Sequence, residues 1–192
     1  MPQPKHLMKL RLPVPADRPA EQDLDKFFGK CQEKLGLVPN VIRAVAQNPR
    51  KARTFIAMYN ELMLGESGLT KLEREMIAVV VSSCNRCYYC LVAHGQAVRQ
   101  LSGDPQLGEM MVMNYRVAEL TPRQRTMLDF AWKLTASPFD VNDADRDGLR
   151  KAGFSDPDIY DIADTVAFFN LSNRLAHATD MMPNPEYHSQ SR

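Results

Sequence analysis

LTKLEREMIAVVVSSCNRCYYCLVAH, residues 69–94, opens on a helix start and closes on three cysteines and a histidine. Thr70 and Glu73 stand at the N-cap and N3 spacing of a capping box. The apolar run Met76–Val81 continues that helix, and Ser82, Ser83, Cys84 and Asn85 then collect residue types that prefer caps and turns. The stretch therefore predicts a helix from Leu72 to about Val81, a break, and a second helix starting near Asn85 or Arg86. Cys87 falls in the first turn of the second helix, with Cys90 just after it. On a helix Cys87, Cys90 and His94 are i, i+3 and i+7, within roughly 60° of one another, so one face carries all three.

Outward from this pair, strand signals are scarce and helix punctuation is frequent. Leu24, Phe27, Phe28, Cys31 and Leu35 follow helical spacing, with Gly36 at the stop position. Asn48-Pro49 and Asp104-Pro105 each supply an N-cap and an N1 proline. Asn142 or Asp143 opens a helix that stops at Gly153, and Ser155 opens a long one that Pro183 closes. LTPRQRTM at 120–127 echoes LTKLEREM at 69–76, with Thr121 and Gln124 as a second capping box. The echo fits an internal duplication and equally a device used twice. The expected fold is all-α: a single-domain bundle of about eight helices over residues 1–192, with residues 1–20 an extended arm and residues 183–192 a peripheral tail.

Composition narrows the function classes. The 192 residues are 44% hydrophobic and 24% charged, ordinary for a soluble domain, and the formal net charge of +1 offers nucleic acid or an anionic membrane no electrostatic attraction. The N-terminus MPQPKHLMKLRLPVPADRPAEQD has no apolar h-region and does not read as a signal peptide. Cytoplasmic localisation is the resulting expectation. A reducing compartment disfavours structural disulfides, so clustered cysteines there point to metal or redox chemistry.

The redox reading follows from thiol chemistry. A free thiol titrates near 8.5, and thiolate is the reactive species. A helix N-terminus, a nearby base and a C-x-x-C arrangement each favour thiolate. His94, one turn from Cys90, can take its proton, and Glu75 on the preceding helix can orient His94. Two thiols three residues apart can close a disulfide once one is oxidised, which supplies an attacking thiolate, a resolving thiol and an acid–base pair. Other readings use the same residues. Cys84, Cys87, Cys90 and His94 make a Cys3His zinc set for a non-enzymatic interaction module, although structural zinc sites draw on two separated knuckles and these ligands crowd into one short run. Ferredoxin-like ligation lacks its fourth cysteine. The cysteines can also be small buried hydrophobes. A general dithiol–disulfide reductase without peroxide specificity is the second enzymatic reading.

Glu75, eleven residues, then CYYCLVAH resembles the E-x11-C-x2-C-x3-H signature of the alkylhydroperoxidase D-like proteins of the carboxymuconolactone decarboxylase superfamily. LGLVPNVIRAVAQNP at 35–49 is similar to the family's opening helical segment. LRKAGFSDPDIYDIADTVAFFNLSNRLA at 149–176 is similar to the closing helix of its peroxidase-related branch. The resemblance implies an all-helical homo-oligomer (dimer, trimer or hexamer) with no bound metal or haem. It implies a small-molecule hydroperoxide substrate, and electrons from an external dithiol donor such as a lipoyl or thioredoxin-like protein. Carried over by position, Glu75, Cys87, Cys90 and His94 are the catalytic set. Tyr89 stands where relatives often place a further relay histidine, and Cys84 has no family role, so both are auxiliary candidates. The dipole alone favours Cys87 as attacker; the nearness of His94 and the resemblance favour Cys90, with Cys87 resolving.

The remaining chemistry-bearing residues read as ordinary. His6 and His188 fall in the expected loose ends, His177 on a helix surface, and Cys31 and Trp132 in the core. The methionines read mainly as packing, and buried Asn173 or Arg174 on an apolar helix needs partners.

Overall fold

A computed structural model describes residues 2–10 and 22–192. Among the described residues there are nine α-helices and no strand: α1 (Gln22–Leu35), α2 (Asn40–Val45), α3 (Pro49–Leu64), α4 (Lys71–Cys84), α5 (Tyr88–Ser102), α6 (Pro105–Asn114), α7 (Pro122–Ala136), α8 (Asp143–Lys151) and α9 (Asp156–Thr179). No helix among them is long and apolar enough to cross a membrane.

The helix starts follow their local chemistry. Asn48 and Asp104 cap α3 and α6 ahead of N1 prolines, and reciprocal capping boxes open α4, α7, α8 and α9. α9 ends at Thr179, four residues before the proline expected to close it, because Asp180 turns left-handed at φ 50°.

α4 is the axis of the bundle. Every side chain from Met76 to Val81 is 0% exposed, and a helix that is apolar all round must be surrounded. α5, α6, α7 and α9 enclose it, with α3 at its N-terminal end. Each fully buried aliphatic side chain contributes about 1.5–3 kcal/mol, so this helix supplies much of the driving force for assembly. α5 and α6 cross closely because Gly95 and Gly108 face each other: a Cβ on Gly108 would lie 3.2 Å from the Gly95 carbonyl and 2.3 Å from Arg99 Cγ.

Both chain ends are docked where looseness was expected. Leu7 accepts from the Met182 N–H at 3.0 Å, Lys9 N–H donates to the Thr179 carbonyl at 2.9 Å, and His6 Nε2 lies 3.0 Å from Asp180 Oδ2. His6 is therefore half-buried and partnered rather than free in solvent. The rest of the predicted arm, residues 1 and 11–20, lies outside the described residues. In the tail, Asn184 is buried, accepts from Asn40 N–H at 2.7 Å and donates to the Val38 carbonyl at 3.0 Å. Buried Arg99 donates to the carbonyls of Tyr187 (2.8 Å) and Gln190 (3.1 Å). Ordinary polar tail residues conceal this docking, since the cation and amides that satisfy their carbonyls come from distant helices.

Candidate active site

The joint between α4 and α5 is held by partners from across the fold. α4 runs through both serines to Cys84, three residues beyond the break expected at Val81. Ser82 accepts from Asn173 Nδ2 at 3.0 Å, and Ser83 Oγ donates to the Val112 carbonyl at 3.1 Å. Hydroxyls with such tertiary partners no longer draw on their own helix backbone. Arg86 then turns left-handed at φ 55°, a conformation costing a non-glycine residue about 1–2 kcal/mol. The turn is over-determined. Cys87 N–H donates to the Ser82 carbonyl at 2.9 Å, Asn85 Nδ2 donates to Asn170 and Asn173 at 3.0 Å each, and His177 Nε2 lies 3.0 Å from the Asn85 carbonyl. Cys87 thereby becomes the N-cap of α5 rather than a residue of its first turn, and Cys90 takes the N3 position. The polar need of Asn173 anticipated above is met here, whereas exposed Arg174 turns back to Asn170.

Glu75, His94, Cys87 and Cys90 come together around this joint. Glu75 Oε2 accepts from His94 Nδ1 at 2.6 Å, with side chains 11% and 13% exposed respectively. That bond leaves Nε2 as the basic nitrogen of the neutral ring. Phe169 meets the imidazole edge-on at a centroid distance of 4.7 Å, fixing its plane. Both thiols are reduced and each is 1% exposed. A hydrogen bond from the Cys90 thiol lowers Cys87 to about 7 against the opposing effect of burial, with the Cys90 backbone N–H, His177 and His94 helping. Donating that bond, together with burial and the neighbouring Cys87 charge, pushes Cys90 well above the ordinary thiol range; Asn173 and Ser172 oppose the rise. The pair therefore takes up its first negative charge near neutral pH, with Cys87 the more acidic of two coupled thiols.

A cleft of about 920 Å³ opens over Cys90, His94 and Glu75, and Cys87 is not on its wall. Phe168, Phe169, Tyr59 and Met63 give the cleft a largely apolar lining. The two auxiliary candidates lie apart from this constellation. Tyr89 borders the cleft, but its hydroxyl accepts from Val41 N–H at 2.8 Å and so anchors α2; burial raises its pKa well above the usual range. Cys84 ends α4, is half-buried, stays off the cleft wall and is held as a thiol by burial, which Arg116 only partly opposes. Among the described residues no three His, Cys, Asp or Glu side chains converge in a metal-binding arrangement, so the Cys3His set does not assemble.

Tyr59 and Tyr187 were not anticipated. Both border the cleft, and both phenols are raised chiefly by burial; the Glu75 charge is the next cause at Tyr59 and follows Cys31 and Glu186 at Tyr187. Tyr59 sits in an amphipathic helix where an aromatic reads as packing, and Tyr187 in the tail read as loose. Cys31 is buried as expected, but it also borders the cleft.

Comparison with known proteins finds relatives of the same fold. The sequence model of the Carboxymuconolactone decarboxylase family matches residues 49–132. An uncharacterized peroxidase-related protein from Silicibacter sp. TM1040 is 62% identical, with TM-score 0.94 and 100% of each chain covered. An alkylhydroperoxidase AhpD core protein from Ralstonia eutropha JMP134, also described as uncharacterized and peroxidase-related, is 42% identical over 98% of each chain, with TM-score 0.91. The debrominase Bmp8 in complex with 2,3,4-tribromopyrrole is 20% identical, covering 95% of this chain and 96% of its own, with TM-score 0.77; that likeness is one of fold. No curated protein matches the sequence.

Proposed function

The chain belongs to the carboxymuconolactone decarboxylase family, in its alkylhydroperoxidase D-like group, and from that premise we propose that it is a dithiol-dependent peroxidase. The observation that carries this reading is the shared cleft wall: Cys90, a histidine already oriented by a carboxylate, and space for a substrate occupy one place.

His94 Nε2 takes the Cys90 proton as a hydroperoxide enters. Cys90 Sγ attacks the distal peroxide oxygen; an S–O bond forms, the O–O bond breaks, and the departing alkoxide receives the proton from His94. Cys90 is now a sulfenic acid. Cys87 then attacks Cys90 Sγ; the S–S bond forms, the S–O bond breaks, and the leaving hydroxide takes up the Cys87 proton to depart as water. An external dithiol reduces the disulfide and supplies the two electrons that the peroxide consumed. Cys87, off the cleft wall, suits the resolving role because resolution takes place within the pair and needs no access from the cleft. The cycle needs no bound metal or organic cofactor, and its free thiols suit the reducing cytoplasm.

The test is steady-state reduction of a hydroperoxide panel with a dithiol donor, with mass mapping of the oxidised protein. The expected result is hydroperoxide consumption and a Cys87–Cys90 bridge with Cys31 reduced. Turnover of small disulfides without any hydroperoxide consumption would assign a general disulfide reductase instead.

A further inference from the structure

The cleft wall carries a charge asymmetry that peroxide chemistry does not require. The face of α1 toward the cleft is Phe27, Lys30, Cys31, Lys34 and Leu35, an i, i+3, i+4, i+7, i+8 stripe. On a surface helix this stripe is the apolar one, and lysines belong on the opposite side. Two of its five positions are lysines, and Lys71 at the start of α4 adds a third to the same wall. All three are exposed, which puts them at the mouth. None takes part in an ion pair among the described residues. Among the described residues the single carboxylate on the wall, Glu75, lies inside and is held by His94. With 24 cationic and 23 acidic residues in the whole chain, three lysines against one carboxylate among the described residues of the cleft wall are a local excess.

The mouth is also apolar. Leu35, Leu64 and Leu101 border the cleft while 53%, 59% and 45% exposed. Inside, the wall continues as the aromatic surface of Phe55, Phe168 and Phe169. A small neutral peroxide uses neither the lysines nor the exposed leucines. A molecule with an anionic end and a long apolar body uses both, and a cleft of about 920 Å³ is ample for one.

We propose that the cleft selects amphipathic carboxylates, and that the physiological substrate is a long-chain organic hydroperoxide bearing a carboxylate. The carboxylate sits among Lys30, Lys34 and Lys71. The chain lies along the leucine rim and the phenylalanine wall, and the hydroperoxide group reaches Cys90. The proposal deepens the peroxidase reading and rests on it for the reaction, though not for the binding.

The experiment has two arms on the full-length reduced protein. The first compares kcat/KM for a fatty-acid hydroperoxide and its methyl ester, both below their micelle concentrations, at low and high salt. The expected preference for the acid is about tenfold at low salt, the order three screened surface charges can supply, shrinking as salt shortens the screening length. In the Lys30→Gln, Lys34→Gln, Lys71→Gln triple variant, checked for folding by circular dichroism, the acid-to-ester ratio falls toward one. The second arm measures binding of the same fatty acid and ester without the hydroperoxide group, and the acid should bind more tightly with the same salt dependence. Equal kcat/KM for acid and ester, with equal binding, overturns the proposal and leaves the peroxidase reading standing. Preferential binding of the acid with no peroxide turnover overturns the peroxidase reading and the substrate assignment with it, while the cleft's selectivity for amphipathic carboxylates stands. A triple variant that changes oligomeric mass but keeps the acid preference assigns the lysines to a contact between copies of the chain and overturns the proposal.

Discussion

α4 and α7 begin with the same device and are put to different uses. In both, a leucine–threonine pair opens a reciprocal capping box. Four residues after each threonine stands an arginine with the same task. Arg74 donates to the carbonyls of Leu62, Gly65 and Leu69, and Arg125 to those of Tyr115 and Ala118, so each satisfies carbonyls left free where the preceding helical segment ends. The starts also touch, since Arg123 Nε donates to Glu73 Oε1 at 3.1 Å. Then they part. Thr126, in the position of Glu75, turns its hydroxyl back to the Pro122 carbonyl at 2.9 Å, while Glu75 reaches out to His94. α4 ends at the cysteine-bearing joint; α7 ends at an ordinary proline turn. The residues common to both build a helical hairpin, and those present in only one build the site.

The comparison breaks first at the thiols. Cys90→Ser should abolish the peroxide burst in a single turnover, while Cys87→Ser should consume one equivalent and leave a trappable sulfenic acid at Cys90. A burst retained in Cys90→Ser and lost in Cys87→Ser would give the attack to the more acidic thiol and remove the cleft from the argument. Next comes the residue pair at which the helices part. His94→Ala should slow the first step by about 10²–10⁴-fold if it acts as general base, and Glu75→Gln by less. Thr126→Ala should leave the rate unchanged in the same stopped-flow assay.

The shared arginines sharpen the comparison from the other side. Arg74 is 4% exposed and Arg125 half-buried. Truncating Arg74 strands buried carbonyls, at about 1–3 kcal/mol for each group left unpaired. Urea unfolding should show Arg74→Ala destabilised by about 3 kcal/mol and Arg125→Ala by about 1 kcal/mol. Equal losses would mean that the two hairpins are equally buried in energetic terms.

How far the sequence speaks differs between the same regions. The helix starts were legible because a cap is written within four residues: Thr70 with Glu73, Asn48 with Pro49, Ser155 with Pro157. The pairing of Glu75 with His94 was legible as well, since two successive helices with a short joint must pack side by side. What could not be read was set by distant partners. Ser82 and Ser83 look like a helix stop until Asn173 and Val112 occupy their hydroxyls. The tail looks loose until Arg99 takes its carbonyls. Cys87 as an N-cap, not a first-turn residue, follows from that longer α4. Its consequence for acidity could not be read from spacing either, because it depends on which thiol donates to the other.

That acidity is the smallest of the expected effects and the most informative about the joint. Two kinds of cause can lower Cys87: those of its helix start, the dipole and the Cys90 backbone N–H, which a cap position such as Thr121 of α7 shares, and those of its neighbours, the Cys90 thiol first and then His177 and His94, which the start of α7 lacks. A helix dipole is worth about 0.3–1 kcal/mol at such a site, less than one pKa unit. Cys87 stands at about 7, with the Cys90 bond the leading cause. Cys90→Ala removes that donor and leaves the helix start in place. The thiolate, present above pH 7 and lost as pH falls through 7 in the native pair, should then be lost already below about 8.5. At pH 7.5 the ultraviolet thiolate absorbance should thus pass from mostly present to mostly absent. A midpoint that stays near 7 in Cys90→Ala would show that the helix terminus alone sets the thiol, and that the joint differs from the start of α7 only in carrying a cysteine.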